Sequence, residues 1–525
     1  MPSHLTTILP GLCRWTSSVQ GPQQPVNSYI LRAGRRTVLI DPAADLSPEA
    51  VGGPVGDILV THFQRENAAG CANFPGARVH VPEGDEYLAE GAEPYSRIVT
   101  PWPPPWEWET RGDYRGHLAG APNERPPEMP IALAEPLRAG RRVVGCRVLA
   151  TPGHGKHAVT LLADVEGKRI AFCGDLVCGD GRLWNWFDSE WDYGLQRGPR
   201  SLAASAARLA RAKPDLLCPA HGPVVRRPAA ALAKLRERLQ AVLRDDAGAW
   251  AAPPFPEKDS PADGFREVLP CLHQWRTGNC SVLVSKSGRG LMVDDGLCYW
   301  QPLPERAQFH RAVITEMKRA LGIERIEVVI PSHYHGDHTE NIPELVEMDG
   351  ARVVCLDTVA GPIEHPERYR VTCLLPWYGT AHDAIRIDRR VKDGQRIRWR
   401  EFDLEIFHLG GQTDYHLGVN VTIGGVRTLF VGDSMGGTTA ACEPPLCYNA
   451  GEPEDGGWPY GIERMIERRP DLLVCGHGIV VAGPMPLLLR KRAAWKRRMR
   501  QFRALSFRKS LRLFFSPFLE RSRKG

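Results

Sequence analysis

Residues 330–341 read IPSHYHGDHTEN, which places His333, His335, Asp337 and His338 within six positions. The preceding EVVI is apolar and β-branched, so the stretch is expected to be a loop leaving a buried strand. On extended backbone, side chains at i and i+2 point the same way, so His333 and His335 are placed to grip one ion. Asp337 and His338 follow across the bend at Gly336 and are placed to grip a second. Taken alone, His-x-His is as well explained by a polar surface loop. Here it is followed by Asp-His, by a Gly-Asp at a later strand end (Asp433) and by a later Gly-His-Gly (His477). A carboxylate can bridge two cations and an imidazole can cap one. That mixture of donors suits Zn²⁺, one ion or two, with Fe or Mn as other occupants.

Upstream, LVTHFQRENAAG (59–70) has the same frame with its donors replaced. His62 aligns with His333, while Gln64, Glu66 and Asn67 stand where His335, Asp337 and His338 stand. Further segments pair in the same order. VNSYILRAGRRTVLIDPA (26–43) answers GNCSVLVSKSGRGLMVDDG (278–296), each reading as a hairpin that ends in an acid. Both halves then run through a Gly-rich turn to Gly-Asp and end in PDLLCPAHGPVV or PDLLVCGHGIVV. The spacings agree: 113 residues from His62 to Asp175 against 100 from His333 to Asp433, then 46 to His221 against 44 to His477. These similarities predict a tandem duplication, with a first domain over 1–248, a linker over 249–265, a second domain over 266–500 and a tail over 501–525. A Pro/Trp-rich insert at 100–130 is expected to be a long loop. The first half keeps His62, His154, Asp175 and His221 but only one loop imidazole, and is expected to be a degenerate, non-catalytic domain. A single-ion site built from those four residues is the alternative.

HYHGDH, VGDS and CGHG together resemble the metallo-β-lactamase superfamily of hydrolases. The resemblance implies an α/β (α+β) fold, with each half a four-layer α/β/β/α sandwich of two face-to-face sheets. It also implies a metal set of His333, His335, Asp337, His338, Asp433 and His477, with Asp337 orienting the nucleophile. The sequence departs from the family at one place. Where a Pro-Gly-His-Thr turn is usual, LGGQT puts Gln412, and His416 four residues on is the candidate replacement ligand, ahead of His408. The expected reaction is hydrolysis: metal-bound hydroxide attacks a thioester, lactone or related carbonyl in a small-molecule substrate, as in the glyoxalase II-like branch. The alternatives are a metallo-nuclease or phosphodiesterase that uses the basic tail, and a non-catalytic binding or scaffold protein.

At 525 residues the chain exceeds a single ordinary core, and its 42% hydrophobic and 24% charged content is that of a folded protein. No uninterrupted apolar run of about 18 residues is present, and the first residues lack the pattern of a signal peptide. The 14 scattered cysteines fit reduced thiols, hence a cytoplasmic setting. The net charge of +6 conceals an asymmetry: residues 490–525 hold 14 Lys/Arg against one Glu. Arginines interleave there with Trp495, Met499, Phe502, Leu505, Leu511, Phe514 and Phe518. This predicts a basic amphipathic helix that either closes the domain or meets a partner, an anionic membrane surface (a membrane-peripheral location) or nucleic acid.

Overall fold

The computed structural model describes residues 4–19, 24–34, 36–63, 65–86, 89, 131–186, 189, 197–244, 255, 258–297, 305–369, 384–435 and 457–515. The 100–130 insert, residues 249–254, 256 and 257 of the linker, Gln64 and Phe518 lie outside these residues. The described residues form two compact units. One comprises the chain up to Asp245 together with a segment that starts at Arg500, and the other covers Asp246–Met499.

The fold is α/β, with two mixed sheets in each unit. In the first unit, six strands from Leu5–Leu9 to Arg78–His80 lie in sequence order, and five more run from Arg142–Val143 to Leu216–Pro219. In the second, seven strands run from Phe265–Leu269 to Arg389–Val391 and six from Gln395–Trp399 to Val480–Ala482. The leading sheet of each unit opens with three antiparallel pairings and continues with parallel ones. The following sheet of each unit makes three antiparallel pairings and then one parallel, and in the second unit one further antiparallel pairing ends it. Antiparallel hairpins thus lead into crossover connections, which is where helices are required.

Strand alternation fixes the layers. In the Phe402–His408 strand, Leu404 and Ile406 join a core shared with Val282, Val293 and Val329 of the other sheet. Phe407 points the opposite way and joins Met465, Leu487 and Leu488 of the helices Trp458–Arg468 and Met485–Leu505. Period-two alternation therefore gives each strand one face for the partner sheet and one for a helix. The first unit repeats the arrangement. Leu31, Val38 and Leu59 meet Val148, Leu161 and Phe172, while Ile30, Leu39 and Ile58 turn outward to Leu46, Val51 and Phe74.

The basic segment is a helix over Met485–Leu505, followed by a short helix over Leu511–Phe515. Trp495, Met499, Phe502, Leu505, Leu511 and Phe514 are all buried. In the first unit, Phe502 meets Trp186 edge to face at 5.0 Å, and Trp186 N donates to Phe514 O at 2.7 Å. The apolar side of this segment is therefore spent on packing. Among the described residues, no helix is long and apolar enough to cross a membrane.

Candidate metal centre

The Arg325–Ile330 strand delivers the chain to Ser332 and His333, and a single helical turn, Gly336–Thr339, presents Asp337 and His338. Two groups of ligand atoms gather there, each within 4.8 Å: His333, His338 and Asp433, and Asp337, His338 and His477. His338 belongs to both. Its Nε2 stands 3.3 Å from Asp433 Oδ1 and 3.9 Å from Asp337 Oδ2. The sequence-predicted carboxylates and terminal histidine, far apart in the chain, are thus brought to one place.

Asp294 orients the imidazoles. The pairing between the Asn279–Val284 and Arg289–Gly296 strands skips Asp294, whose φ is 61°, so the bulge turns its carboxylate away from the sheet. Asp294 accepts from Ser332 N at 2.6 Å, from Ser332 Oγ at 2.8 Å and from His338 Nδ1 at 2.9 Å. Because the Ser332 hydroxyl donates to Asp294, its oxygen accepts from His333 Nδ1, 3.0 Å away. With Nδ1 of each ring committed to the Ser332–Asp294 side, Nε2 is the nitrogen that each ring turns toward the carboxylates. Asn279 does the same for the other edge: Nδ2 donates to Asp337 O and Oδ2 at 2.9 and 3.2 Å, and Oδ1 accepts from His477 N at 2.5 Å.

Glycine makes room at two points. At Gly432 a Cβ would lie 2.5 Å from Ser332 Oγ, and at Gly476 it would collide with Asp433 Oδ1. The Gly of Gly-Asp and the first Gly of Gly-His-Gly are therefore there to let backbone approach the donors.

Electrostatics separate the histidines into two kinds. Burial, together with the neighbouring imidazoles, holds His333 well below the usual histidine range, and burial alone dominates in lowering His335. Burial opposes charge on His338 as well, but Asp433, Asp294 and Asp337 outweigh it and raise its pKa well above the ordinary value. Asp433 is the converse: burial raises it, yet His477 and His338 hold it well below the carboxylate range.

The remaining candidates fall around this cluster. His335 lies edge-on to His333 at 4.4 Å between ring centroids but is in neither gathered group. His416 stacks on His333 at 4.3 Å, its Nε2 donates to Val431 O at 3.0 Å, and burial pushes it down to about 3. Gln412 itself reaches the cluster, with Nε2 donating to Asp433 Oδ2 at 3.3 Å, and His408 bonds Asp414 O at 2.7 Å. The positioning residues Asp294, Ser332 and Asn279 escaped the sequence reading. The only signal was the acid that ends each hairpin.

The donor set fits a metal ion. His333 Nε2 is buried and without a hydrogen bond among the described residues, with its other nitrogen held by an outer carboxylate through Ser332. A buried polar atom left so costs about 1–3 kcal/mol, which an ion would offset.

Residues 273–477 match the metallo-beta-lactamase superfamily. No curated protein sequence matches the chain. Among solved structures, a metallo-beta-lactamase family protein of Thermus thermophilus is 22% identical, covering 46% of this chain and 83% of that one, with a TM-score of 0.35. A subclass B3 metallo-beta-lactamase of Bradyrhizobium japonicum is 17% identical, covering 49% and 98%, with a TM-score of 0.35. A metallo-beta-lactamase of Cronobacter sakazakii is 20% identical, covering 49% and 98%, with a TM-score of 0.35.

Proposed function

Since residues 273–477 belong to the metallo-beta-lactamase superfamily, we propose that this protein is a metal-dependent hydrolase acting on a thioester, lactone or related carbonyl through its second unit. The observation that carries the reading is the pair of His/Asp groups sharing His338, with Asp337 and Asp433 on either side of that ring. A divalent ion bound by these residues would supply Lewis acidity and acidify water at neutral pH; zinc is the leading candidate, with iron or manganese as alternatives.

The chain's own residues do the rest. Asp433 sets the spacing of the two groups, because His338 and His477 each address one of its oxygens. Asp337 Oδ2, held by Asn279, is the carboxylate placed to accept a proton from the attacking water. His477, with 40% of its side chain exposed, marks the side from which a substrate enters. Asp294 keeps His338 in the tautomer that presents Nε2.

The first unit serves as a non-catalytic copy, a reading supported by its matching order of strand pairings and by the missing loop donors. Binding of residues 490–525 to an anionic membrane surface or to nucleic acid rests on their charge alone. Liposome and RNA binding that survives neutralisation of the exposed arginines would end it.

The test is turnover on a panel of thioesters, lactones and phosphodiesters with metal analysis alongside. Carbonyl turnover should require metal and should vanish in His335→Ala while persisting in Gln64→Ala. Turnover of phosphodiesters alone would replace the substrate class, and metal-independent turnover would end the reading.

A further inference from the structure

The first unit keeps more of the chemistry than its loop suggests. His62, His154 and Asp175 are all buried, and their ligand atoms gather within 4.8 Å of one another. His62 Nε2 lies 3.7 Å and His154 Nε2 3.6 Å from the same carboxylate oxygen, Asp175 Oδ2, which has no hydrogen bond among the described residues. Those separations are too long for hydrogen bonds, whose N···O distances run about 2.7–3.2 Å. Donors sharing one ion at about 2.0–2.2 Å and near-tetrahedral angles stand about 3.3–3.6 Å apart.

The orienting shell is also intact. Asp41, at a φ of 51°, accepts from Thr61 N and from Thr61 Oγ1, both at 2.7 Å. The Thr61 hydroxyl is therefore committed as a donor, and its oxygen accepts from His62 Nδ1 at 3.0 Å. The lone pair of His62 Nε2 then points at Asp175. His221 Nδ1 donates to Asp175 Oδ1 at 2.7 Å, which leaves Oδ2 for the cluster.

The site is sealed. The Trp184 ring stacks on His221 at 4.5 Å and 8°, Phe507 packs against Trp184, and Arg508 lies 4.3 Å over the Trp184 ring. Backbone bonds of Leu183 with Leu505 and Phe507 hold this cover in place.

We propose that His62, His154 and Asp175 bind one divalent transition-metal ion, in a closed site whose role is structural. Three donors leave one position of a tetrahedral ion unfilled, but it lies among side chains only 1–5% exposed, out of a substrate's reach, so the site is closed by burial. The ion would explain why a copy that has lost two loop imidazoles still keeps the Asp41–Thr61–His62 chain, which packing alone does not require.

The test begins from the His338→Ala/Asp433→Ala protein, in which both groups of the second unit are broken. It is loaded with Zn²⁺, gel-filtered and its metal counted per chain by mass spectrometry. One equivalent should remain, and adding His154→Ala should remove it and lower the Tm. Should the alanine chain not fold, His154→Gln serves, with Co²⁺ loading read by its d–d absorption, which the glutamine variant should lose. A background protein with no metal, or an equivalent that survives the His154 change, overturns the proposal.

Discussion

The two loops at Thr61–Gly70 and Ser332–Asn341 leave equivalent strands, and both begin with a hydroxyl residue and a histidine tied to a bulge or strand-end aspartate. They part clearly five residues after that histidine, at His338 and Asn67. His338 gives one nitrogen to Asp294 and the other to Asp433 and Asp337. Asn67, at the same place, stands against Asp41 but has no second nitrogen to offer. An amide in place of an imidazole thus has one nitrogen where His338 uses two. The two loops differ in their bifunctional side chains while the hydroxyl–aspartate scaffold beneath them is the same.

Four changes would break or sharpen this comparison. The largest effect is expected from His338→Ala, which touches both groups: activity should fall by more than about 100-fold, beyond the usual cost of losing an orienting partner, while Asn67→Ala changes it less than about twofold. Next, Asp294→Ala should weaken metal affinity by about 10–100-fold, read by competition with a chromophoric chelator. Equal affinities for Asp294→Ala and wild type would remove Asp294 from its orienting role. Third, Gln412→His puts back the imidazole that the first unit has at His154 and should tighten metal binding by roughly tenfold. Looser binding would mean that the present contact of Gln412 with Asp433 is the better arrangement.

The smallest effect concerns Asp41, which burial raises to about 7 despite its bonds to Thr61. Between an unfolded value near 3.8 and that figure, the folded state holds the extra proton. Stability of the chelator-treated protein should therefore fall as pH rises through this window, by at most about 1.4 kcal/mol per pH unit. Asp41→Asn should flatten that slope in thermal melts.

Much of the architecture was legible because hydrophobic alternation in segments such as VVIPSH and LEIFH states which faces are covered. The gathering of His333, His338 and Asp433 was legible because imidazoles and carboxylates at short spacing have few other uses. Asp294 was not, since its role depends on a skipped pairing and a positive φ that no local pattern announces. The placement of His416 likewise depends on a long-range bridge between residues 333 and 416. Spacing alone set Gln412 and His416 in contention, but only the main-chain carbonyl of Val431 distinguishes a ring turned to backbone from one turned to the cluster. The fate of the basic segment depended on Trp184 and Trp186, over three hundred residues upstream.

That last feature sets an order of events during synthesis. The first unit is completed by residues from Arg500 onward, which leave the ribosome only after the whole of Asp246–Met499. At about 5–20 residues per second, this imposes a wait of roughly 10–50 s. Throughout it, the edge at Leu183–Trp186 has no strand partner and the Trp184 face no Phe507. A chain stopped at residue 499 would hold that interval open indefinitely, so the earliest-made half is the one most exposed to chaperones and proteases.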